Sequence, residues 1–340
     1  MNSYERIMTT FRHEEPDRIP LTEIGAAPNV WKALGANSFY EFQQQIGYDL
    51  LVVRVQYRQH SYDGDYFYDE WGVRFKESNQ FTPYPIEGPI KSVDDMDKLI
   101  LPSTDDPYRF SYLEQAVKEL KGEKAICFST RAMFLWATEL CSMESLLFYM
   151  VTAPDFVHEL LDKILDNQIA VAQNAIQMGA DFILETDDYG FNTGPLISPA
   201  MFDAFFAQRI KRYVDAVHNA GAKLIKHTDG DVNRLLDSLV ATGIDALHSI
   251  DSKARMDLGE LKKKYGHKIT LIGNVDCGNL LAYGTKADVR EAVINCIKTA
   301  GPGGGYVFST SNAIPHSAKP ENYKAMVDCA IELGAYPIRL

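Results

Sequence analysis

The 340-residue chain is poor in cysteine, with only Cys127, Cys141, Cys277, Cys296 and Cys329. They are odd in number, widely scattered and without a CxxC pair, which excludes a disulfide framework and a zinc ribbon and fits a reducing cytoplasm. Basic charge is also short: 34 Lys plus Arg face 46 Asp plus Glu, a formal net charge of -12. Gripping a phosphate backbone needs a basic, counterion-releasing surface, so no nucleic-acid partner is expected. Long apolar runs are missing too. The longest uncharged stretch, residues 299–318, is rich in Gly, Pro, Ser and Thr and reads as loop, strand and loop. The opening MNSYERIMTTFRHEEPDRIP lacks the apolar centre of a signal peptide. A soluble protein with no membrane partner is expected. GxSxG, Walker and kinase motifs do not occur, and the Gly301–Gly305 run precedes a strand instead of following one, so it reads as a turn and not a dinucleotide fingerprint.

What is present is a rhythm. Short β-branched or aromatic runs alternate with longer segments of helical period, the pattern of parallel β/α units. Candidate strands are 18–24, 49–55, 125–129, 181–185, 223–227, 246–250, 269–275 and 306–309. Eight such units make a (β/α)8 TIM barrel, expected here as one domain over residues 1–340. Helices are expected over 154–178 and 199–220, each with Pro near its start and Gly just past its end. The rhythm breaks at residues 59–90, an aromatic, turn-rich stretch read as a β-hairpin insertion after strand two that covers one end of the barrel. Its aromatics are expected to form a small satellite core, and Asp63, Asp65, Asp69 and Glu70 a solvated acidic turn.

In such a barrel the working residues follow the strands, at their carboxyl ends. Four strand ends carry chemistry: Glu185-Thr186-Asp187-Asp188, His227-Thr228-Asp229-Gly230, Asn274-Val275-Asp276-Cys277 and Ser309-Thr310-Ser311-Asn312. Residues two apart on an extended segment share a face, so His227 pairs with Asp229, and Glu185 with Asp187 if that strand continues. Adjacent strands lie about 4.8 Å apart, which brings these groups within reach of one divalent ion. Alone, His227 reads equally as a packed core histidine, as does His248. Arg54, Arg58 and Arg131 could grip a substrate carboxylate or simply pair with the surplus acids.

ERIMTTFRHEEPDRIPL, GADFILETDDYGFNTGPLISPAMF, AGAKLIKHTDGD, IGNVD and YVFSTSNAIPHSAKPENYKAMV together resemble the uroporphyrinogen decarboxylase superfamily over nearly the whole chain. The resemblance implies a (β/α)8 barrel and one of two chemistries, tetrapyrrole decarboxylation or zinc-dependent methyl transfer involving a corrinoid. Decarboxylases carry an Arg-rich segment after strand one, where this chain has residues 22–28, TEIGAAP. Asp49 stands for the family's essential aspartate, Thr186 for its serine after strand four and Asn312 for its late histidine. The zinc methyltransferases use His-x-Cys and a second Cys; here His227-Thr228-Asp229 keeps the imidazole without the thiolates. An oxygen-rich site suits a leaving ether or hydroxyl oxygen better than thiol activation.

The expectation is therefore a zinc-dependent methyltransferase that demethylates a small O- or N-methylated donor and passes the methyl group to a separate corrinoid protein, with a metal-independent decarboxylase as the alternative. Candidate catalytic residues are Asp49, Glu185, Asp187, His227 and Asn274. Candidate substrate contacts are Arg54, Arg131, Thr186, Asp188, His248 and Asn312. Candidate metal ligands are His227, Asp229 and Glu185, with Cys277 as an alternative. A homodimer is left open.

Overall fold

The computed structural model describes residues 1–340. After β1 (Leu50–Arg54) come four short antiparallel strands, β2 (Gln59–Asp63), β3 (Tyr66–Asp69), β4 (Arg74–Lys76) and β5 (Tyr84–Glu87). The chain then lays down β6 (Ala125–Arg131), β7 (Phe182–Thr186), the small ribbon β8 (Gly190–Phe191) and β9 (Gly194–Pro195), β10 (Lys223–His227), β11 (Ala246–His248), β12 (Thr270–Val275) and β13 (Tyr306–Thr310). Strands β1, β6, β7, β10, β11, β12 and β13 pair in that order, all parallel, in one curled sheet. This is a TIM-barrel fold.

The expected first strand closes it as a bonded stretch and not as a regular strand. Phe308 N–H donates to Pro20 O (2.8 Å) and Thr22 N–H to Phe308 O (3.1 Å), while on the other side Asp49 N–H donates to Leu21 O (2.9 Å). Pro20 has no N–H to give a ladder, which interrupts regularity at that point. Thr22 Oγ1 supplies a further bond to Leu50 O (2.9 Å).

Alternation along the strands sorts the two cores. Leu50, Val52, Cys127, Phe182, Leu184, Ile225, Ala246, Ile272 and Val307 fill the barrel interior, and Ile7 and Phe11 join them. Those two residues come from the helix Ser3–Thr10 and its C-cap, a helix started by an Asn2–Glu5 capping box, so it stoppers the amino end of the barrel. The opposite parity, including Val53, Ile126, Ile183, Leu224 and Leu271, packs outward in the larger core. The helix Pro154–Met178 runs as expected and ends at Gly179 with φ 118°. The expected 199–220 helix is broken in type: α-helix Pro199–Phe202, a π-helical turn Asp203–Ala207, then α-helix Gln208–Asn219. No single helix is long and apolar enough to cross a membrane.

The 59–90 segment is a four-stranded antiparallel sheet and not a single hairpin. Its Phe67, Trp71, Val73 and Phe75 are buried in the main core, so they form no separate satellite. Trp71 stacks on Trp136 at 4.4 Å, tying the insertion to the helix after β6. Nor is the acidic turn wholly solvated. Asp69 is buried and accepts from Trp71 N–H (3.0 Å) and Val73 N–H (2.9 Å), and Glu70 pairs with Arg109 (2.8 Å).

Candidate active site

The carboxyl ends of the strands open into a cavity of about 410 Å³ whose wall includes Arg54, Arg131, Thr186, Asp188, His227, Asp229 and Asn312. A second chamber of about 310 Å³ shares Arg54, Arg131 and Thr186 and lies against the inserted sheet through Phe67, Asp69 and Phe75. The inserted sheet therefore forms one wall of the chamber.

At the metal-like end, Asp188, His227 and Asp229 bring one donor atom each to within 4.8 Å of one another. His227 Nε2 is 3.7 Å from Asp188 Oδ1 and 3.6 Å from Asp229 Oδ1. The geometry follows from parity: Thr186 lies opposite His227 in the β7–β10 register, and Asp188 and Asp229 are each two residues further on. Beyond the strands the two loops stay together. Asp229 N–H donates to Asp188 Oδ1 (2.9 Å), Tyr189 N–H to Thr228 Oγ1 (3.0 Å) and Asp231 N–H to Phe191 O (2.9 Å). Gly190 and Gly230 permit that approach, since a Cβ on Gly230 would come to 2.3 Å from the Gly190 carbonyl carbon.

The cluster carries strain of charge. Burial lifts the Asp229 carboxyl to about 6, His227 opposing the rise and Asp188 adding to it. Asp229 Oδ1 is buried without a hydrogen-bond partner, and Asn312 Nδ2 donates to the other oxygen. His227 Nδ1 lies 2.7 Å from Nδ1 of the fully buried His248, which burial holds neutral. One of the two nitrogens must donate and the other accept, so His248 fixes the His227 ring.

Five expected residues, Glu185, Asp187, Asn274, Asp49 and Cys277, stand outside the cluster. Glu185 sits on the outward face of β7, its Oε2 2.5 Å from Lys226 Nζ, because its parity is that of Ile183 and not of Leu184. It does not join the metal-like cluster. Asp187, also outward, accepts from Phe134 N–H (3.0 Å), Leu135 N–H (2.7 Å) and Tyr189 Oη (3.0 Å), capping the helix Met133–Cys141 from outside. Asn274 donates to Ile250 O (2.9 Å) and receives the Cys296 thiol (3.5 Å), so it braces the wall. Asp49 lies at the amino end of β1, opposite the cavity, held by Arg6 (2.6 Å), Arg18 (2.8 Å) and Ser3 (2.8 Å). Cys277 is buried beside Ser311, its thiol pushed up to about 12 by burial, and is no part of the cluster.

The arginines divide sharply. Arg131 pairs with Glu139 and lies over Trp136. Arg58 makes an exposed pair with Asp106 (2.5 Å). Arg54, at the carboxyl end of β1, stacks on Phe81 at 4.3 Å and has no acidic partner.

Residues 70–333 match the uroporphyrinogen decarboxylase (URO-D) family. The chain belongs to that family. It is 29% identical over 262 residues to the uroporphyrinogen decarboxylase of Aeromonas salmonicida, covering 73% of this chain and 71% of that one. Against the uroporphyrinogen decarboxylase of Proteus mirabilis it is 28% identical over 285 residues, covering 80% and 73%. In structure it superposes on a methyltransferase from Methanosarcina mazei with a TM-score of 0.79 at 18% identity, over 98% of this chain and 99% of the other. A B12-independent methionine synthase from Shewanella gives a TM-score of 0.51 at 11% identity, over 92% and 96%.

As a member of the uroporphyrinogen decarboxylase family, the chain places its own residues at the mouth. The segment after the first stretch carries Glu23, whose carboxylate meets Ser309 Oγ (3.1 Å), Thr310 N–H (3.0 Å) and Thr310 Oγ1 (2.5 Å), and no arginine. The sequence reading missed Asp188 as a partner of His227 and Asp229, although it shares parity with Thr186. It also missed Phe81, one aromatic among several in residues 59–90 with nothing to set it apart from the others.

Proposed function

We propose that this family member is a methyltransferase that removes a methyl group from a small O- or N-methylated donor and passes it to a corrinoid carried by a separate protein. The observation that carries the reading is the Asp188–His227–Asp229 cluster at the wall of the cavity. Two carboxylates and an imidazole held this close, with a buried carboxylate oxygen lacking any donor, fit a divalent cation, zinc foremost. A metal bound there supplies Lewis acidity to the donor heteroatom. The chain's own residues do the rest. The bond that breaks joins the methyl carbon to the heteroatom, whose electron pair stays behind, and Tyr84 and Pro85 of the inserted sheet form part of the wall of the cavity in which it breaks. Asn312 holds Asp229 and His248 holds His227, so the donor atoms are set before substrate enters. The structural likeness to the Methanosarcina mazei methyltransferase supports this reading through the fold.

The test is elemental analysis of the purified protein followed by methyl transfer from methoxylated and methylated small molecules to a corrinoid protein. Stoichiometric zinc and metal-dependent transfer support the reading; turnover by fully metal-free protein refutes it. A carboxy-lyase acting on a small carboxylate is the second reading, favoured by the names of the curated relatives and by Arg54. It predicts metal-independent CO2 release. Asp49, its best candidate by sequence, does not reach the cavity.

A further inference from the structure

Glu23 is buried beside the carboxyl end of β13 and lines no part of the cavity. Its Oε1 accepts from Thr310 N–H (3.0 Å), and its Oε2 lies 3.1 Å from Ser309 Oγ and 2.5 Å from Thr310 Oγ1. Burial lifts the carboxyl to about 8, and no cation offsets that rise. The titratable groups that face it are the Cys277 thiol, after β12, and the Tyr323 phenol, on the helix Pro320–Leu333. Burial keeps both protonated.

The hydrogen-bond geometry requires the same protonated acid. Thr310 Oγ1 is also 2.6 Å from Asn312 O, and a hydroxyl carries one proton while a carbonyl only accepts. A protonated Glu23 donates to Thr310 Oγ1, whose own proton is then free for Asn312 O. Asn312 makes the next link. Its Oδ1 accepts from Ala313 N–H (2.6 Å), which turns Nδ2 outward to donate to Asp229 Oδ2. A buried acid is thus tied to the cluster without touching a member of it. Ionisation of Glu23 breaks the line. A carboxylate is the stronger acceptor, so the Thr310 proton turns to it. Asn312 O then faces Thr310 Oγ1 with no proton between two oxygens, a repulsion that residues 311–313 relieve by moving.

We propose that Glu23 is a positioning residue for the cluster: protonated, it holds Asn312 on Asp229 through Thr310, and its ionisation releases that hold. The consequence for zinc rests on reading Asp188, His227 and Asp229 as metal ligands; the relay itself is tested without metal. In metal-free protein the carbon-13 methyl signal of Ala313, which rides with Asn312, is followed from pH 6 to 9 and assigned by its loss in Ala313→Gly. Glu23→Gln is the reference, because its amide keeps its protons at every pH and stands in for the protonated acid. Zinc affinity of both proteins is then measured over the same range by chelator competition.

The expected result is an Ala313 transition centred near pH 8 in the wild type and absent from Glu23→Gln. Zinc affinities should agree at pH 6.5 and part above pH 8, the wild type falling about three- to tenfold below the variant, the worth of one hydrogen bond. Thr310→Val cuts the relay at its middle. It should bind zinc more weakly than wild type at pH 6.5, and Glu23→Gln added to it should change nothing at any pH; thermal melts establish that each variant is folded. The same Ala313 profile in wild type and Glu23→Gln, or a Glu23-dependent transition with equal zinc affinities throughout, overturns the proposal. A Glu23-dependent Ala313 transition in a protein that takes up no zinc upholds the relay while sinking the metal reading, so the two failures are distinct.

Discussion

In the β7–β10 register Glu185 stands opposite Lys226, and Thr186 opposite His227. That one-residue offset decides which carboxylates meet the histidine. Glu185 and Asp187 face the helical layer, where one neutralises Lys226 and the other caps a helix. Asp188, on the inward parity, reaches the cavity.

On the proposed reading, Asp188→Ala should lower zinc affinity tenfold or more, measured by competition with a chromophoric chelator, with little change in melting temperature. Glu185→Gln should do the reverse. It leaves Lys226 buried without its counter-charge, and breaking one side of a buried pair costs about 3–5 kcal/mol. Zinc affinity should stay at the wild-type value. Loss of zinc in Glu185→Gln with retention in Asp188→Ala would return the ligand role to Glu185.

Glu23 predicts a pH dependence. Burial lifts its carboxyl to about 8, against the hydrogen bonds from Thr310 and Ser309. The geometry agrees: Thr310 Oγ1 lies 2.5 Å from Glu23 Oε2 and 2.6 Å from Asn312 O. A hydroxyl has one proton and a carbonyl only accepts, so both contacts are satisfied when Glu23 carries a proton. The folded state then binds more protons than the unfolded state between about 4.5 and 8, and stability from this group is lost as pH rises through that window. The slope is roughly 1.4 kcal/mol per pH unit at most. Urea denaturation of Glu23→Gln from pH 5 to 8.5 should show a flatter profile than wild type. Identical profiles would mean that Glu23 holds no proton.

Much of the architecture was legible because each strand is a compact apolar run ended by polar residues, and each long helix is bounded by Pro and Gly. Parity within the strands was not. Parallel strands are buried on both faces, so Phe182-Ile183-Leu184 is apolar throughout and does not reveal which of Glu185 and Thr186 turns inward. The role of Asp49 was hidden for another reason. Its partners Arg6 and Arg18 lie 43 and 31 residues away in sequence, and only closure of the barrel brings them together. His227 and Asp229 were readable because spacing alone puts them on one face. The pairing of His227 with His248 needed the neighbouring strand.

Asp49 should matter for stability and not for binding. It is fully buried and takes both arginines, the Ser3 hydroxyl and the Leu21 N–H (2.9 Å). Asp49→Ala leaves Arg18 without an acid and Arg6 with Asp17 alone, for a loss of about 3–5 kcal/mol by denaturant titration. Zinc affinity of the folded fraction should be unaltered, since no part of the carboxylate lines the cavity. A variant with wild-type stability but impaired zinc binding would place Asp49 in the functional machinery after all.

The approach of the two ligand-bearing loops depends on Gly230. It has φ 81°, and an added Cβ would meet the Gly190 carbonyl carbon at 2.3 Å, its oxygen at 2.5 Å and Phe191 N at 2.6 Å. These are backbone atoms, so nothing can swing aside; the loops must part, and with them Asp188 and Asp229. Gly221 is the matched control, because its φ is 92° and no atom lies within 4 Å of the position its Cβ would take. Gly221→Ala bears only the left-handed conformational cost, about 1 kcal/mol, and should keep wild-type zinc affinity. Gly230→Ala bears that cost and the steric one, and should lose more stability and at least tenfold in zinc affinity. Equal effects of the two substitutions on melting temperature and on zinc binding would show that loop contact at Gly190 does not hold the carboxylates together.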